Sequence, residues 1–374
     1  MTQFSYTSAA QQVIFGAGAL NKLGEVVAEF GWQRLMLCTI PRFQQSGLLA
    51  RLESILTGHL AASYTQVRPH VPQEQVDTAV TLALEHDVDA VIGLGGGSPI
   101  GMAKAVSLAL EARRTGQPAS ARFPTDQPLV PVIAIPTTYA GSEMTPIYGV
   151  TQVLDGATRK VTITDVKVTP KLTLYDPELT LALPPQMTAS SGINALAHCI
   201  EAVYSITRNP LATAAALQGI SHITRSLPIA VANGADITAR TELLLGAYLA
   251  ATAVSTAKIG LHHGLCHVLG GTAGVPHGIA NAIILPHAMR YNAEAVPAEM
   301  ARLGAALGRP DDAAGAVADL VERLGLPTRL ADCGVTDDDL DAVARLSQGN
   351  GSVQANPRPV SEDDARAVLT AAYG

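Results

Sequence analysis

Five of the ten histidines fall between positions 262 and 287, in Leu261-His262-His263-Gly264-Leu265-Cys266-His267, Pro276-His277-Gly278 and, beyond them, His287. An isolated histidine such as His222 reads as a packed, hydrogen-bonded core residue. Several imidazoles among small and apolar residues point instead to a site that binds a metal, moves protons or holds an anion. His263 and His267 are four apart. So are Asn194 and His198 in Gly192-Ile193-Asn194-Ala195-Leu196-Ala197-His198. That spacing puts both members of a pair on one helix face. Cys266 lies inside the cluster, where packing is the ordinary role of a buried thiol.

A second segment suggests anion binding. Ala90-Val91-Ile92-Gly93-Leu94-Gly95-Gly96-Gly97-Ser98-Pro99 runs from an apolar strand through glycines into a helix. Glycines admit a pyrophosphate close to the backbone, and a helix N-terminus offers unpaired N–H donors. Ser98 is expected as the N-cap, with Pro99 at the first helical position. A ligand-free tight turn is the alternative for this motif taken alone. Downstream, Ile135-Pro136-Thr137-Thr138-Tyr139-Ala140-Gly141-Ser142-Glu143 follows another apolar strand and brings hydroxyls to the same sheet edge. Lys160 could neutralise phosphate charge, and Gly16-Ala17-Gly18 reads as a turn. After the strand Leu35 to Cys38 comes Thr39, not the carboxylate that often holds an adenosine ribose 2′-OH, so NADPH is expected to be accepted alongside NADH. The candidate cofactor contacts are Gly95, Gly96, Gly97, Ser98, Thr39, Thr137, Thr138, Ser142 and Lys160.

These residues need a scaffold. Up to about Pro177, apolar runs at Leu35 to Cys38, Val91 to Leu94, Val132 to Ile135 and Leu172 to Tyr175 alternate with helical stretches, the pattern of a parallel sheet flanked by helices. Ile147 to Thr164 alternates around the turn dipeptide Asp155-Gly156 and predicts a hairpin. After Leu183-Pro184-Pro185 the strands give way to Ala-rich helical spacing. Helices are expected at Thr188 to Tyr204, Pro210 to Ala232, Ile237 to Thr256, Ile279 to Tyr291, Pro297 to Leu307, Asp311 to Leu324, Asp337 to Leu346 and Ser361 to Ala372. At 374 residues the chain predicts two domains, 1–182 and 183–374, with a ligand cleft between them. A net charge of -7 without basic runs argues against nucleic acid as a partner. Met1 to Ala10 has neither the charge nor the apolar run of a signal or membrane anchor, and Cys38, Cys199, Cys266 and Cys333 form no CxxC pair. A cytoplasmic protein with reduced thiols is expected.

Taken in order, Gly95-Gly96-Gly97-Ser98 with Ala103-Lys104, Pro136-Thr137-Thr138 with Gly141-Ser142-Glu143, Asn194-Ala195 with His198, and His263, His267 and His277 span nearly the whole chain. Together they resemble the iron-containing, or group III, alcohol dehydrogenases. The resemblance implies an α/β N-terminal Rossmann-like nucleotide domain and an all-α C-terminal domain, the dehydroquinate synthase-like fold. It also implies NADH or NADPH as cofactor, an active site between the domains, and a homodimer. In metal-dependent members an aspartate and three histidines hold a divalent ion, at positions matching 194, 198, 263 and 277. Here position 194 is Asn194, and Gly101 stands where those relatives usually carry Asp.

Both departures, with Gly192 to Ala202 and Leu261 to Gly271, resemble the maleylacetate reductase subfamily, whose reaction reduces a conjugated carbon–carbon double bond to give 3-oxoadipate in aromatic-ring catabolism. The resemblance implies a small dicarboxylate substrate and no required metal, with a residual ion at His198, His263 and His277 left open. A carboxylate at 194 would oppose each substrate carboxylate by roughly 3 kcal/mol at about 6 Å and an effective dielectric of about 20, a repulsion that Asn194 relieves. His198, His263 and His277 are the candidates to bind substrate oxygens, His267 to donate the proton, and His262 to contact a substrate carboxylate. The rival readings are a metal-dependent alcohol or hydroxyacid dehydrogenase of the same superfamily and a nucleotide-binding protein without catalysis.

Overall fold

The computed structural model describes residues 4, 6, 7, 9–154 and 157–374, with the backbone alone at 153, 154 and 157–160. It divides into two compact units, Thr7–Leu181 and Ala182–Gly374.

In the first unit, strands β1 (Gln12–Phe15), β2 (Leu35–Cys38), β3 (Leu60–Tyr64), β4 (Ala90–Gly95) and β5 (Val132–Pro136) are followed by a hairpin of β6 (Ile147–Leu154) and β7 (Ala157–Thr164), then by β8 (Leu172–Tyr175). Helices α1 (Leu23–Phe30), α2 (Arg42–Gln45), α3 (Leu48–Ile55), α4 (Gln73–Glu85) and α5 (Gly97–Thr115) connect them. The main sheet has the order β1-β8-β5-β4-β2-β3, and every pair in it is parallel.

Alternation explains its burial. Leu35 and Leu37 join Ile92, Leu94 and Ile133 in one core layer, whereas Met36 and Cys38 join Val91, Met102 and Val106 in the other. Successive side chains point to opposite faces, so a strand covered on both sides reads as a near-continuous apolar run. The strand order reverses at β4, and the crevice beyond the carboxyl ends of such strands is where open α/β sheets take nucleotides. The expected strands form, as does the hairpin, although Asp155 and Gly156 lie outside the described residues. Gly16 and Gly18 take φ values of +141° and +75° in the turn before α1. Its Gly18 and Leu20 N–H groups donate to the buried Asp176 carboxylate, as a turn reading requires.

The second unit is helical: α6 (Pro185–Tyr204), α7 (Pro210–Ala232), α8 (Ile237–Val254), α9 (Leu261–Thr272), α10 (His277–Asn292), α11 (Pro297–Ala306), α12 (Ala313–Arg323), α13 (Asp337–Ser347), α14 (Gly351–Gln354) and α15 (Glu362–Tyr373). Glycines let α6, α7 and α8 approach closely. A Cβ on Gly192 would meet Leu227 at 2.5 Å, and one on Gly219 would meet the Cys199 sulfur at 2.7 Å. Arg240, fully buried, donates to Gly234 O, Thr188 Oγ1 and Leu183 O and so ties α8 to the start of α6. Among the described residues no helix is long and apolar enough to cross a membrane.

Candidate active site

The glycine loop is built by close approach. Gly95 has φ +141°, and a Cβ there would lie 2.7 Å from Pro99 Cγ. A Cβ on Gly93 would lie 2.7 Å from Ile100 Cα, so α5 can pack on β4 only over a bare backbone. Helix α5 begins at Gly97, with Gly96 as N-cap and no side-chain capping bond. Ser98 is therefore inside the first turn and is not the N-cap, which corrects the sequence expectation. No side chain competes with an anion for that cap position.

Thr138 meets this loop: its Cγ2 and Oγ1 would lie 3.1 and 3.2 Å from a Cβ on Gly96. Thr137 is buried and donates its N–H to Gly95 O at 3.0 Å. Ser142 stands farther along the same segment, its Oγ 3.4 Å from Lys104 Nζ. Thr39 is fully buried and spends its hydroxyl on Leu94 O at 2.9 Å, so it adds no carboxylate and no outward donor at the end of β2. Lys160 pairs with Thr151 across the hairpin, and its side chain lies outside the described residues.

In the helical unit, α6 carries Asn194, His198 and Glu201, α9 carries His262, His263, Cys266 and His267, and His277 opens α10. Residues 194, 198 and 201 share one stripe of α6 by their spacing. The start of α9 is held from two sides: Gly260 N–H donates to Glu201 Oε1 at 2.9 Å, and Leu261 N–H donates to Asn356 Oδ1 at 3.1 Å. Gly264 lets the helix settle on α14, since a Cβ there would fall 2.4 Å from Val353 Cγ2.

His263 is the hub. Its ring stacks on His198 at 4.5 Å between centroids and meets His262 edge-on at 4.7 Å. His277 and His267 lie 5.9 and 6.1 Å from it, and 5.4 Å from each other. His198, His267 and His277 are partly exposed, whereas His262, His263 and Glu201 are buried behind them. His263 Nδ1 donates to Glu201 Oε2 at 2.5 Å, and its Nε2 lies 3.3 Å from Asn194 Oδ1. His262 donates Nε2–H to Asn281 O at 3.1 Å, and Asn281 Nδ2 donates to His277 O at 2.7 Å.

Fully buried, with Nε2 on a main-chain carbonyl and Nδ1 turned toward Glu201 at 3.7 Å, His262 supports the site from behind. The expectation that it contacts a substrate carboxylate is corrected by that burial. Glu201 and Asn281 were not among the sequence candidates. Glu201 had a visible signal in its place three residues after His198, whereas Asn281 had none.

The charges form a consistent set. Burial works against the Glu201 carboxylate, yet His263 and His262 beside it hold it well below the usual carboxylate range. Burial also opposes charge on His262, but Cys266 and Glu201 outweigh it and lift the group to about 10. Burial lowers His263, with Glu201 acting the other way, and burial with the neighbouring His263 pushes His198 well below the ordinary imidazole value. A buried carboxylate and a buried imidazolium thus compensate one another, while burial favours the neutral form of His198 and His263.

A divalent ion at positions 194, 198, 263 and 277 would need ligand atoms converging at about 2 Å. The residues present do not fit that set. Asn194 offers a neutral amide, and His198 and His263 stack face to face, 4° from parallel. Among the described residues, the group of three metal-type donors with ligand atoms within 4.8 Å of one another is Glu201, His262 and His263. Those atoms are engaged with each other and with the backbone.

Two family models divide the chain between them: iron-containing alcohol dehydrogenase over residues 10–177, and the C-terminal region of the Fe-containing alcohol dehydrogenase family over residues 188–373. A maleylacetate reductase of Sphingobium indicum is 38% identical over 370 residues, covering 99% of this chain and 97% of its own. One from Burkholderia cepacia is 38% identical over 373 residues, covering 100% and 98%. The crystal structure of maleylacetate reductase from Agrobacterium tumefaciens superposes with a TM-score of 0.86 at 36% identity, covering 100% of this chain and 99% of that one. With its glycine loop on β4, its histidines on α6, α9 and α10, and these full-length likenesses to maleylacetate reductases, the chain belongs to the iron-containing alcohol dehydrogenase family.

Proposed function

We propose that this NAD(P)H-dependent oxidoreductase reduces the carbon–carbon double bond of maleylacetate to 3-oxoadipate, with no divalent metal in the reaction. The observation that carries this reading is Asn194 beside the His263–Glu201 pair. The position that bears a metal-binding carboxylate in metal-dependent relatives bears an amide here, among imidazoles suited to anionic oxygens.

Hydride from the reduced nicotinamide adds to one alkene carbon and the π electrons move onto the conjugated oxygens. A proton then enters at the neighbouring carbon, so two electrons and two hydrogens are gained. The enolate that forms needs donors aimed at it. His198 and His277 are assigned that task, while the buried His263, whose one hydrogen goes to Glu201, holds its ring against His198 and Asn194 from behind. The buried Nδ1 of His198 has no hydrogen-bond partner of its own, and a substrate oxygen would supply one. His267, partly exposed and 5.4 Å from His277 by ring centroids, is assigned proton delivery.

Gly95, Gly96, Gly97, Ser98, Thr137, Thr138 and Ser142 are assigned to the dinucleotide. Lys160 keeps its proposed role as a counter-charge. The reading includes a homodimer and a cytoplasmic location, the former testable by sedimentation. The decisive assay follows NADH oxidation with maleylacetate on chelator-treated enzyme. Turnover with one NADH consumed per product is expected, and an inactive preparation restored by zinc or iron would overturn the metal-free part. One feature favours a metal-dependent dehydrogenase instead: a carboxylate behind a histidine, as Glu201 stands behind His263, is the usual support of a metal-ligating imidazole. Oxidation of short alcohols after metal addition would select that alternative.

A further inference from the structure

Lys104 is fully buried on α5, two turns beyond the glycine loop. Its Nζ donates to three main-chain carbonyls of one short segment: Ser142 O at 2.6 Å, Thr145 O at 2.7 Å and Ile147 O at 2.9 Å. An ammonium has three hydrogens, and a buried one is tolerated when each has an acceptor. Here all three are used, and none of the acceptors is a carboxylate. The same segment is fastened on its other side to the sheet. Tyr175 Oη donates to Glu143 Oε1 at 2.9 Å, and Thr173 Oγ1 donates to Glu143 O at 3.3 Å.

Helix α5 presents the glycine loop, and the chain leading into Ser142 presents Thr137 and Thr138. Thr138 touches the loop at Gly96. Lys104 thus ties α5 to the segment that follows Thr137 and Thr138.

We propose that Lys104 is a positioning residue for dinucleotide binding: by clamping Ser142–Ile147 to α5, it sets the hydroxyl-bearing segment against the glycine loop. It touches no cofactor itself. The proposal rests on the reading of this unit as the dinucleotide site. Removing the ammonium leaves three carbonyls to find other partners, and the segment loses its fixed distance from the loop.

The test compares NADH dissociation constants of the full-length enzyme by nucleotide fluorescence for wild type, Lys104→Gln and Lys104→Met, with thermal melts and steady-state kinetics alongside. The Met variant should bind NADH roughly tenfold or more weakly, as expected for lost hydrogen bonds to a charged group. The Gln variant, which keeps donors, should recover part of that loss. The KM for maleylacetate and kcat at saturating NADH should move little. A wild type that fails to bind NADH would overturn the reading of the unit itself. Wild-type binding with unchanged NADH affinity in both variants would overturn the role of Lys104, as would equal losses for NADH and maleylacetate that simply follow a lowered melting temperature. Should neither variant fold, hydrogen exchange on the wild type decides: NADH must protect residues 137–147 together with 95–104, and protection confined to the glycine loop would sink the proposal.

Discussion

His263 gives its Nδ1 hydrogen to Glu201 Oε2 across 2.5 Å, with both residues buried. The bond fixes which nitrogen of His263 faces Asn194 and which faces the protein. Glu201→Gln keeps the volume but removes the charge that compensates His262. Turnover should fall by roughly tenfold to a hundredfold, as for other residues that orient a site imidazole. Glu201→Ala should in addition destabilise the fold by about 3–5 kcal/mol, because it strands a buried charge. Paired measurement of kcat and chemical denaturation checks both, and a Gln variant of wild-type activity would remove Glu201 from the mechanism.

Asn194→Asp returns a carboxylate to the imidazole cluster. Repulsion of roughly 3 kcal/mol toward a substrate carboxylate at about 6 Å predicts a KM for maleylacetate raised by about a hundredfold, with little change in that for NADH. The same variant should gain zinc by equilibrium dialysis. An unaltered substrate KM would show that position 194 does not face the substrate's charges.

His267→Gln removes the assigned acid while keeping a polar side chain. Turnover should drop by about a hundredfold or more. Single-turnover mixing of enzyme, NADH and maleylacetate would place the loss in the chemical step, and a rate like the wild type's would transfer the role to another group.

Stability should depend on pH in a way that reports the buried set. His198 and His263 lie below 6.5 when folded, so their contribution is complete above 6.5 and is lost as pH falls beneath it. Glu201, held below 4.5, adds to the acid loss at lower pH. His262, lifted to about 10, contributes stability that is complete below 6.5 and is lost as pH rises through about 10. Thermal melts should therefore peak near pH 6.5 and decline on both sides. The alkaline slope should flatten in Glu201→Gln, and a wild-type melting temperature that climbs from pH 7 to 9 would contradict the assignment.

The strands from Leu35, Ala90, Val132 and Leu172 announce themselves because both their faces are covered and their residues form near-continuous apolar runs, interrupted in β8 by Thr173. Strands β1 and β3 sit at the sheet's two edges, half exposed, and their mixed sequences carry no such run. Helix α9 was expected only through the four-residue spacing of His263 and His267 and without bounds, because Gly264, Gly270 and Gly271 weaken helical propensity. It forms because Glu201 and Asn356 hold its first N–H groups and Gly264 lets it pack. The histidines could be found by clustering alone. Their division into a front row and a buried support could not, since His263 and His267 lie one turn apart on the same helix and differ only in what surrounds them.

Thr39 ends β2 without a carboxylate and keeps its hydroxyl on Leu94 O. Both NADH and NADPH should support turnover. Steady-state kinetics with the two nucleotides settles it, and a wild type inert with NADPH would contradict it.

The close seat of Gly264 on Val353 bears on how this scaffold could acquire other substrates. Helix α9 cannot be slid or tilted to enlarge the site without first dislodging α14, and any side chain at 264 would force that. Diversification along this route is limited to exchanging the tips of residues already facing outward, such as His198, His267 and His277, while the backbone beneath them stays in register. A combinatorial library confined to those tips should return many folded variants, and one that includes position 264 should return few.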